Sequence, residues 1–280
     1  MTRYEASCGV GVLRGRLAWA SCGIFAHRVR IARRRSVAVR LATPAAGRAY
    51  DRRVADLATL GAEITGCRRC ARLVRCREAA ADPPPKRFAG EVYWARPVPG
   101  FGDPAARLLV VGLAPGAHGG NRTGRVFTGD RSGDWLYAAL HRAGFANQAA
   151  SIRPGDGLAL SGAYVSCVVR CAPPGNKPSP TERDRCVGYL VRELELLPRV
   201  RAIVALGGFA WDGVLLAATA LGHAVPRPRP RFGHAAEARI GPWQVVASYH
   251  VSQQNTFTGR LTEPMLDRVF ARAREASSAS

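Results

Sequence analysis

RLLVVGLAPGAHGGNRTGRVFTGDRSGDWLYAALHRAG, residues 107–144, holds a whole strand–loop–helix unit. RLLVVG is a short run of branched apolar residues, the pattern of a strand buried on both faces. It runs directly into a glycine-rich loop whose backbone is free to approach a ligand closely. SGDWLYAALHRAG then reads as a helix that ends on Gly144. The same alternation continues downstream. GAYVSCVVRC (162–171) is a second strand. SPTERDRCVGYLVRELELLP (179–198) is a helix with Ser179 as N-cap, Pro180 at the first helical position and Glu182 at the third. VRAIVALGG (200–208) is a third strand and FAWDGVLLAATALG (209–222) a helix. WQVVASYHVS (243–252) is a fourth strand, and LTEPMLDRVFARARE (261–275) a last helix with Thr262 as N-cap. Four buried strands alternating with helices predict a three-layer α/β/α fold around a central, mostly parallel four-stranded sheet.

Upstream of this unit the chain is less regular. DPPPKRFAGEVYWARPVPGFGDP (82–104) is proline-rich and aromatic and reads as irregular structure. DRRVADLATLGAEITGC (51–67) has apolar residues at helical spacing. Residues 1–48 hold ten arginines and one acid, Glu5, and carry nine of the 21 net positive charges. They show no sustained periodicity and read as a poorly ordered basic extension: a DNA-binding arm, a leader or an upstream extension. The division expected is therefore 1–48 extension, 49–276 domain and 277–280 tail. PRPRPRFGH (226–234) is a basic, proline-stiffened loop before the fourth strand.

At 280 residues the chain is long enough for one sizeable core with appendages. No stretch is long and apolar enough to span a bilayer. A net charge of +21 favours a polyanionic partner, nucleic acid first, although only two lysines occur and arginine bias contributes. Cysteine spacing is that of ligands rather than of a disulfide framework, so the compartment expected is the reducing cytoplasm. Cys67 and Cys70 form C-x-x-C within CRRCARLVRC, and Cys171 and Cys186 bracket CAPPGNKPSPTERDRC. Four thiolates in two pairs suit a soft metal or an iron–sulfur cluster. The plainer alternative is buried free cysteines.

In a doubly wound sheet, ligands bind at the carboxyl ends of the strands. Two polar loops follow such ends. The first, 112–134, lacks the G-K-[ST] of a Walker loop and the spacing of a dinucleotide fingerprint. The second, HVSQQNTFTGRLT (250–262), gathers a histidine, amides, hydroxyls and an arginine before a helix, which suits phosphate binding and base-edge recognition.

With GLAPGAHGGNRTGRVFTGD, HVSQQNTFTGRLT and the four cysteines in this order, residues 50–275 resemble the uracil-DNA glycosylase superfamily, in its type 5 bacterial and archaeal branch. The resemblance implies a monofunctional DNA repair glycosylase. Such an enzyme flips uracil and other damaged bases from DNA, hydrolyses the N-glycosidic bond and leaves an abasic site. It implies a four-iron, four-sulfur cluster on Cys67, Cys70, Cys171 and Cys186 that ties the N-terminal helix to the sheet, with Cys76 and Cys167 spare. It implies a monomer acting on DNA in the nucleoid. The alternative reading is a non-catalytic or redox-sensing nucleic-acid binder with a four-cysteine metal or cluster site.

A flipped base needs an aromatic face, and Phe127 is the aromatic of the first loop. Gly112, Leu113, Ala114, Asn121, Ser166 and Asn255 are the other expected substrate-binding positions. The departing base accumulates negative charge, and His250 is the donor expected to stabilise it, with His118 second. Type 4 relatives resemble GEAPG at the first loop, where this chain has Leu113. Asp130 is therefore the expected catalytic carboxylate and Asp134 the runner-up, with a helix-capping alternative for Asp134. Ser166 is expected at the position where type 4 relatives read the base edge with asparagine. Ser252, Gln253, Gly259, Arg260 and Leu261 are expected to grip DNA, with Leu261 or Phe257 as the apolar wedge.

Overall fold

The computed structural model of the protein describes residues 44–278, with the side chains of 44–46 and 48 excepted. Most of the extension expected at 1–48 lies outside the described residues. Helix α1 spans Pro44–Thr65, and α2 spans Ala71–Ala79. A two-residue strand β1 (Phe101–Gly102) precedes β2 (Leu108–Gly112). The glycine loop contains a single turn, α3 (Gly120–Thr123), and leads to α4 (Arg131–Arg142). Then follow β3 (Ala163–Cys167), α5 (Pro180–Leu196), β4 (Ala202–Leu206), α6 (Gly208–Ala220), β5 (Glu237–Ile240), β6 (Trp243–Ser248), α7 (Gln253–Phe257) and α8 (Glu263–Ser278).

The strands form one six-stranded sheet in the order β1-β3-β2-β4-β6-β5. The central four are parallel and are the four strands expected. The count of four is corrected by antiparallel strands at both edges, β1 on β3 and β5 on β6. Neither announces itself in sequence. β1 is too short for any period, and β5 shows only Ala238 and Ile240 buried between exposed Glu237 and Arg239.

Alternate residues of each central strand feed opposite cores, as a pleated strand requires. Leu108 and Val110 of β2 pack with Leu136, Leu140, Leu266 and Phe270 of α4 and α8. Leu109 and Val111 pack with Leu190, Leu194, Trp211 and Val214 of α5 and α6. This double burial makes the strands read as continuous apolar runs. The expected cap of α5 is present as a capping box. Ser179 Oγ accepts from the Glu182 amide at 3.2 Å, and the Glu182 carboxylate accepts from the Ser179 amide at 2.7 Å. Helix α1 packs on α5, places Leu57 against the core shared with α5 and α6, and is tied to α5 by the Glu63–Arg192 ion pair. No described helix is long and apolar enough to cross a membrane.

Candidate active site

The carboxyl ends of the parallel strands meet along one edge: Gly112, Cys167, Leu206 with Gly207 after it, and Ser248 just before His250. Phe127 folds back from the first loop over this edge. A Cβ on Gly112 would lie 2.5 Å from Phe127 Cζ and 3.3 Å from Cys167 Sγ, so the ring's approach requires glycine there. The Phe127 and His250 rings face each other with centroids 6.2 Å apart and planes tilted by 36°. Burial pushes the His250 imidazole down to about 4, so it is neutral at neutral pH. A neutral imidazole still carries one N–H donor. Asn255 Nδ2 donates to the His250 carbonyl at 2.8 Å, so Asn255 steadies the backbone that carries the histidine.

Asp130 is the N-cap of α4. Its Oδ1 accepts from the Gly133 amide at 3.0 Å. The capping role considered for Asp134 thus belongs to Asp130. Asp134 is exposed and lies 3.5 Å from Arg131. Capping leaves the second oxygen of Asp130 directed at the turn between Gly116 and Gly119, where a Cβ at either glycine would collide with it. Burial raises the Asp130 carboxyl above the usual carboxylate range, against the opposing pull of the Gly133 and Ser132 amides. Gly133 also packs so tightly beneath the Phe127 carbonyl that a side chain there would overlap it. One glycine therefore fixes Asp130 and Phe127 relative to each other.

Other expected positions fall elsewhere. Ser166 lies on the opposite face of β3, where its hydroxyl donates to Glu193 Oε2 at 2.6 Å beside the buried Arg170–Glu193 pair. Cys167, one residue on, faces Phe127 instead, because a one-residue step along a strand reverses the side chain. Asn121 is fully buried. Its Nδ2 donates to the carbonyls of Arg77 at 3.0 Å and Ala117 at 3.3 Å, which makes it a brace between the first loop and α2. Ala114 packs with Leu73, Val169 and Cys171, toward the cysteines. Leu113 is half-buried, and its carbonyl accepts from the Val169 amide at 3.0 Å. His118 is half-buried and bonded to Tyr93 Oη at 3.0 Å.

The second loop splits in the same way. Gln253, Gly259 and Arg260 are exposed, Ser252 is half-buried at the start of α7, and Arg260 lies over the Tyr249 ring at 4.6 Å. Leu261 is fully buried in the core with Val251 and Leu266, so it cannot reach DNA as a wedge. Phe257 is 68 % exposed and is the apolar residue this loop presents.

Cys67, Cys70, Cys171 and Cys186 line one cavity, and Cys76 does not. Hydrogen-bond donors point at three of the sulfurs. Arg77 Nη1 lies 3.1 Å from Cys171 Sγ, Arg69 Nε 3.4 Å from Cys67 Sγ, and the Arg170 amide 3.4 Å from Cys186 Sγ. Burial raises the thiols of Cys171 and Cys186, the latter to about 11. At Cys67 burial is outweighed by Arg69 and Tyr189, and the thiol is lowered. Among the described residues no three His, Cys, Asp or Glu side chains converge as ligands of one metal ion.

Residues 99–274 match the Uracil DNA glycosylase superfamily. The chain is 52% identical over 222 residues to a type-5 uracil-DNA glycosylase of Mycobacterium bovis, covering 79% of this chain and 81% of that protein. It is 51% identical over 212 residues to the Thermus thermophilus protein of the same name, covering 75% and 94%. It is 44% identical over 212 residues to that of Pyrobaculum aerophilum, covering 75% and 88%. The matched segment begins just before β1 and ends within α8, so it takes in every described strand and the whole strand-end site of a chain that belongs to the uracil DNA glycosylase superfamily.

Proposed function

We propose that the protein is a uracil-DNA glycosylase, a hydrolase that cuts the N-glycosidic bond of a uracil flipped out of DNA. The observation that carries this reading is the facing pair of Phe127 and His250 at the strand ends, with Asp130 tied to the Phe127 backbone through Gly133. The flipped base stacks on Phe127. The neutral imidazole of His250 donates to the base oxygen on which negative charge develops, the kind of stabilisation that lowers barriers most effectively in a site shielded from water. The Asp130 carboxylate orients the attacking water or offsets the positive charge of the sugar. Cys167 faces the stacking ring, while Ser166 is turned to the opposite face of β3. A thiol hydrogen-bonds weakly, which supports acceptance of damaged bases beyond uracil. The test is a labelled uracil-containing duplex, incubated with protein and treated with alkali. Strand cleavage at the uracil is expected, and an intact strand defeats the reading.

The four cavity cysteines suit a four-iron, four-sulfur cluster. The four thiols line one cavity, and N–H donors aimed at sulfur stabilise thiolates. A cluster held by Cys67, Cys70, Cys171 and Cys186 would supply a structural cross-link from the segment before α2 to the β3–α5 connection, through Cys171, and to α5 itself, through Cys186. Alanine at any of the four is expected to abolish the broad absorbance near 400 nm and the bound iron. Cys76→Ala is expected to retain both. A colourless Cys76→Ala beside an iron-replete Cys186→Ala would overturn this ligand set.

A further inference from the structure

Phe127 sits at φ +49, in the left-handed region that a bulky aromatic side chain rarely occupies. Such a conformation persists only where the surroundings fix it. Here the turn is gripped from both sides. The Val126 carbonyl accepts from Tyr137 Oη at 3.0 Å and from Thr128 Oγ1 at 3.1 Å. Thr128 Oγ1 in turn lies 2.7 Å from Ser151 Oγ and accepts from Arg125 Nε at 2.9 Å. The Gly129 amide donates to the Ser151 carbonyl at 2.9 Å. Arg125 thus enters the turn through its backbone and closes it through its side chain, spanning Phe127.

The Arg125 guanidinium is itself held by Asp156 in a bidentate pair, Nη1 to Oδ1 at 3.0 Å and Nη2 to Oδ2 at 2.7 Å. The two side chains are only 8% and 9% exposed. Asp156 also accepts the amides of Ile152 at 2.8 Å, Leu158 at 3.1 Å and Arg153 at 3.2 Å, so its own position is set by the 151–158 turn. Arg125 keeps this carboxylate far below its usual range, hence ionised at any working pH. Burying an ion pair costs desolvation that its attraction does not always return, so such a pair is weak evidence of a stability role. Neither residue contacts the reacting edge.

We propose that Arg125 and Asp156 are positioning residues for Phe127, holding the 125–129 turn in the conformation that presents the ring to the flipped base. This rests on the reading of Phe127 as the stacking face. The experiment is a double-mutant cycle of Asp156→Asn and Phe127→Ala, read by single-turnover release of uracil and by affinity for a duplex bearing a tetrahydrofuran abasic analogue. Asp156→Asn keeps the size of the side chain and removes its charge. A slight displacement of a positioned group costs up to about 100-fold in rate. A loss of about 10- to 100-fold is expected in the wild-type background, with analogue affinity within about two-fold, and almost no further loss in the Phe127→Ala background. Equal losses in both backgrounds would make the pair merely structural and overturn the proposal. A full-rate Phe127→Ala would overturn the stacking reading and the proposal together, an outcome distinct from the first. If Asp156→Asn fails to fold, Ser151→Ala cuts the same network more gently and is put through the same cycle. It must show the same non-additivity, or the proposal fails.

Discussion

His250 combines a neutral ring with a half-buried, desolvated position, and the two are linked. Burial in an apolar site penalises the imidazolium, so the folded-state pKa falls to about 4 from the ordinary value near 6.5. The unfolded chain then binds more protons than the folded one between those values. His250's contribution to stability is complete above about pH 6.5 and is lost as pH falls toward 4. The same shift keeps the donor neutral through the physiological range, so single-turnover base release should not lose rate around pH 6.5 on this account. Its acid limb should lie near 4. His250→Ala is expected to lose about 10²–10³ in rate while retaining DNA affinity. Turnover within a factor of two of wild type would make His250 a packing residue. Asp130 tests differently because it has two jobs. Asn is as good an N-cap as Asp, so Asp130→Asn preserves α4 and removes a charge that burial disfavours. Stability unchanged or slightly raised, together with slowed base release, is the expected signature, read by thermal melting and single-turnover assay. Asp130→Ala should in addition cost about 1 kcal/mol from the lost cap. Residue types and loops were legible in sequence: Phe127, His250 and Gly112 lie together at the strand ends, and Gly133 links Asp130 to the Phe127 backbone. Side-chain direction was legible only in part. Along β3, the buried Val165 marks the face shared by Cys167 and not by Ser166, and a strand buried on both faces gives no polar alternation to reveal this.

At the scale of elements, the second loop separates into an exposed turn and a buried anchor. Helix α7 lifts Phe257 to the surface, where it lies 6.0 Å from the guanidinium of Arg131 at the start of α4. The chain then turns through Gly259 at φ +70 and drops Leu261 into the core ahead of α8. The two apolar residues are thus interchangeable in sequence and opposite in role. Leu261→Ala should cost about 2–5 kcal/mol in denaturant unfolding, as truncation of a buried leucine does. Phe257→Ala should leave stability within about 0.5 kcal/mol and weaken binding to a uracil duplex. An unchanged DNA affinity for Phe257→Ala would remove it as a wedge. The elements themselves were readable wherever local signals were strong, as in the α5 capping box and the four apolar strands. The edge strands were not: β1 is two residues long and pairs with β3, some sixty residues on, and β5, although joined to β6 by a tight turn at Gly241, carries only two buried positions.

The whole molecule carries its positive charge unevenly, and this separates binding from chemistry. Nine of the 21 net charges lie in residues 1–48, whereas every group assigned to the reaction lies between Gly112 and His250. Contacts to DNA phosphates release counterions, so the logarithm of the binding constant falls linearly with the logarithm of salt, by about 0.9 for each phosphate neutralised. Base release from an already bound, flipped nucleotide involves no such release. Affinity for a uracil duplex should therefore fall steeply with salt while the single-turnover rate at saturating protein stays nearly constant. Arginine-to-glutamine changes confined to positions 28, 30, 33, 34, 35 and 40 would remove six cations and leave the sequence of residues 44–278 unchanged. They should flatten the salt slope and leave the saturated rate within about two-fold. Fluorescence anisotropy across a salt series, run beside the cleavage assay, measures both quantities on one preparation. An unchanged slope would mean that phosphate contacts come from the domain alone, with Arg260 and the other loop arginines carrying them. A saturated rate that collapses with the substitutions would mean that the extension reaches the reacting base, and the separation of binding from chemistry would fail.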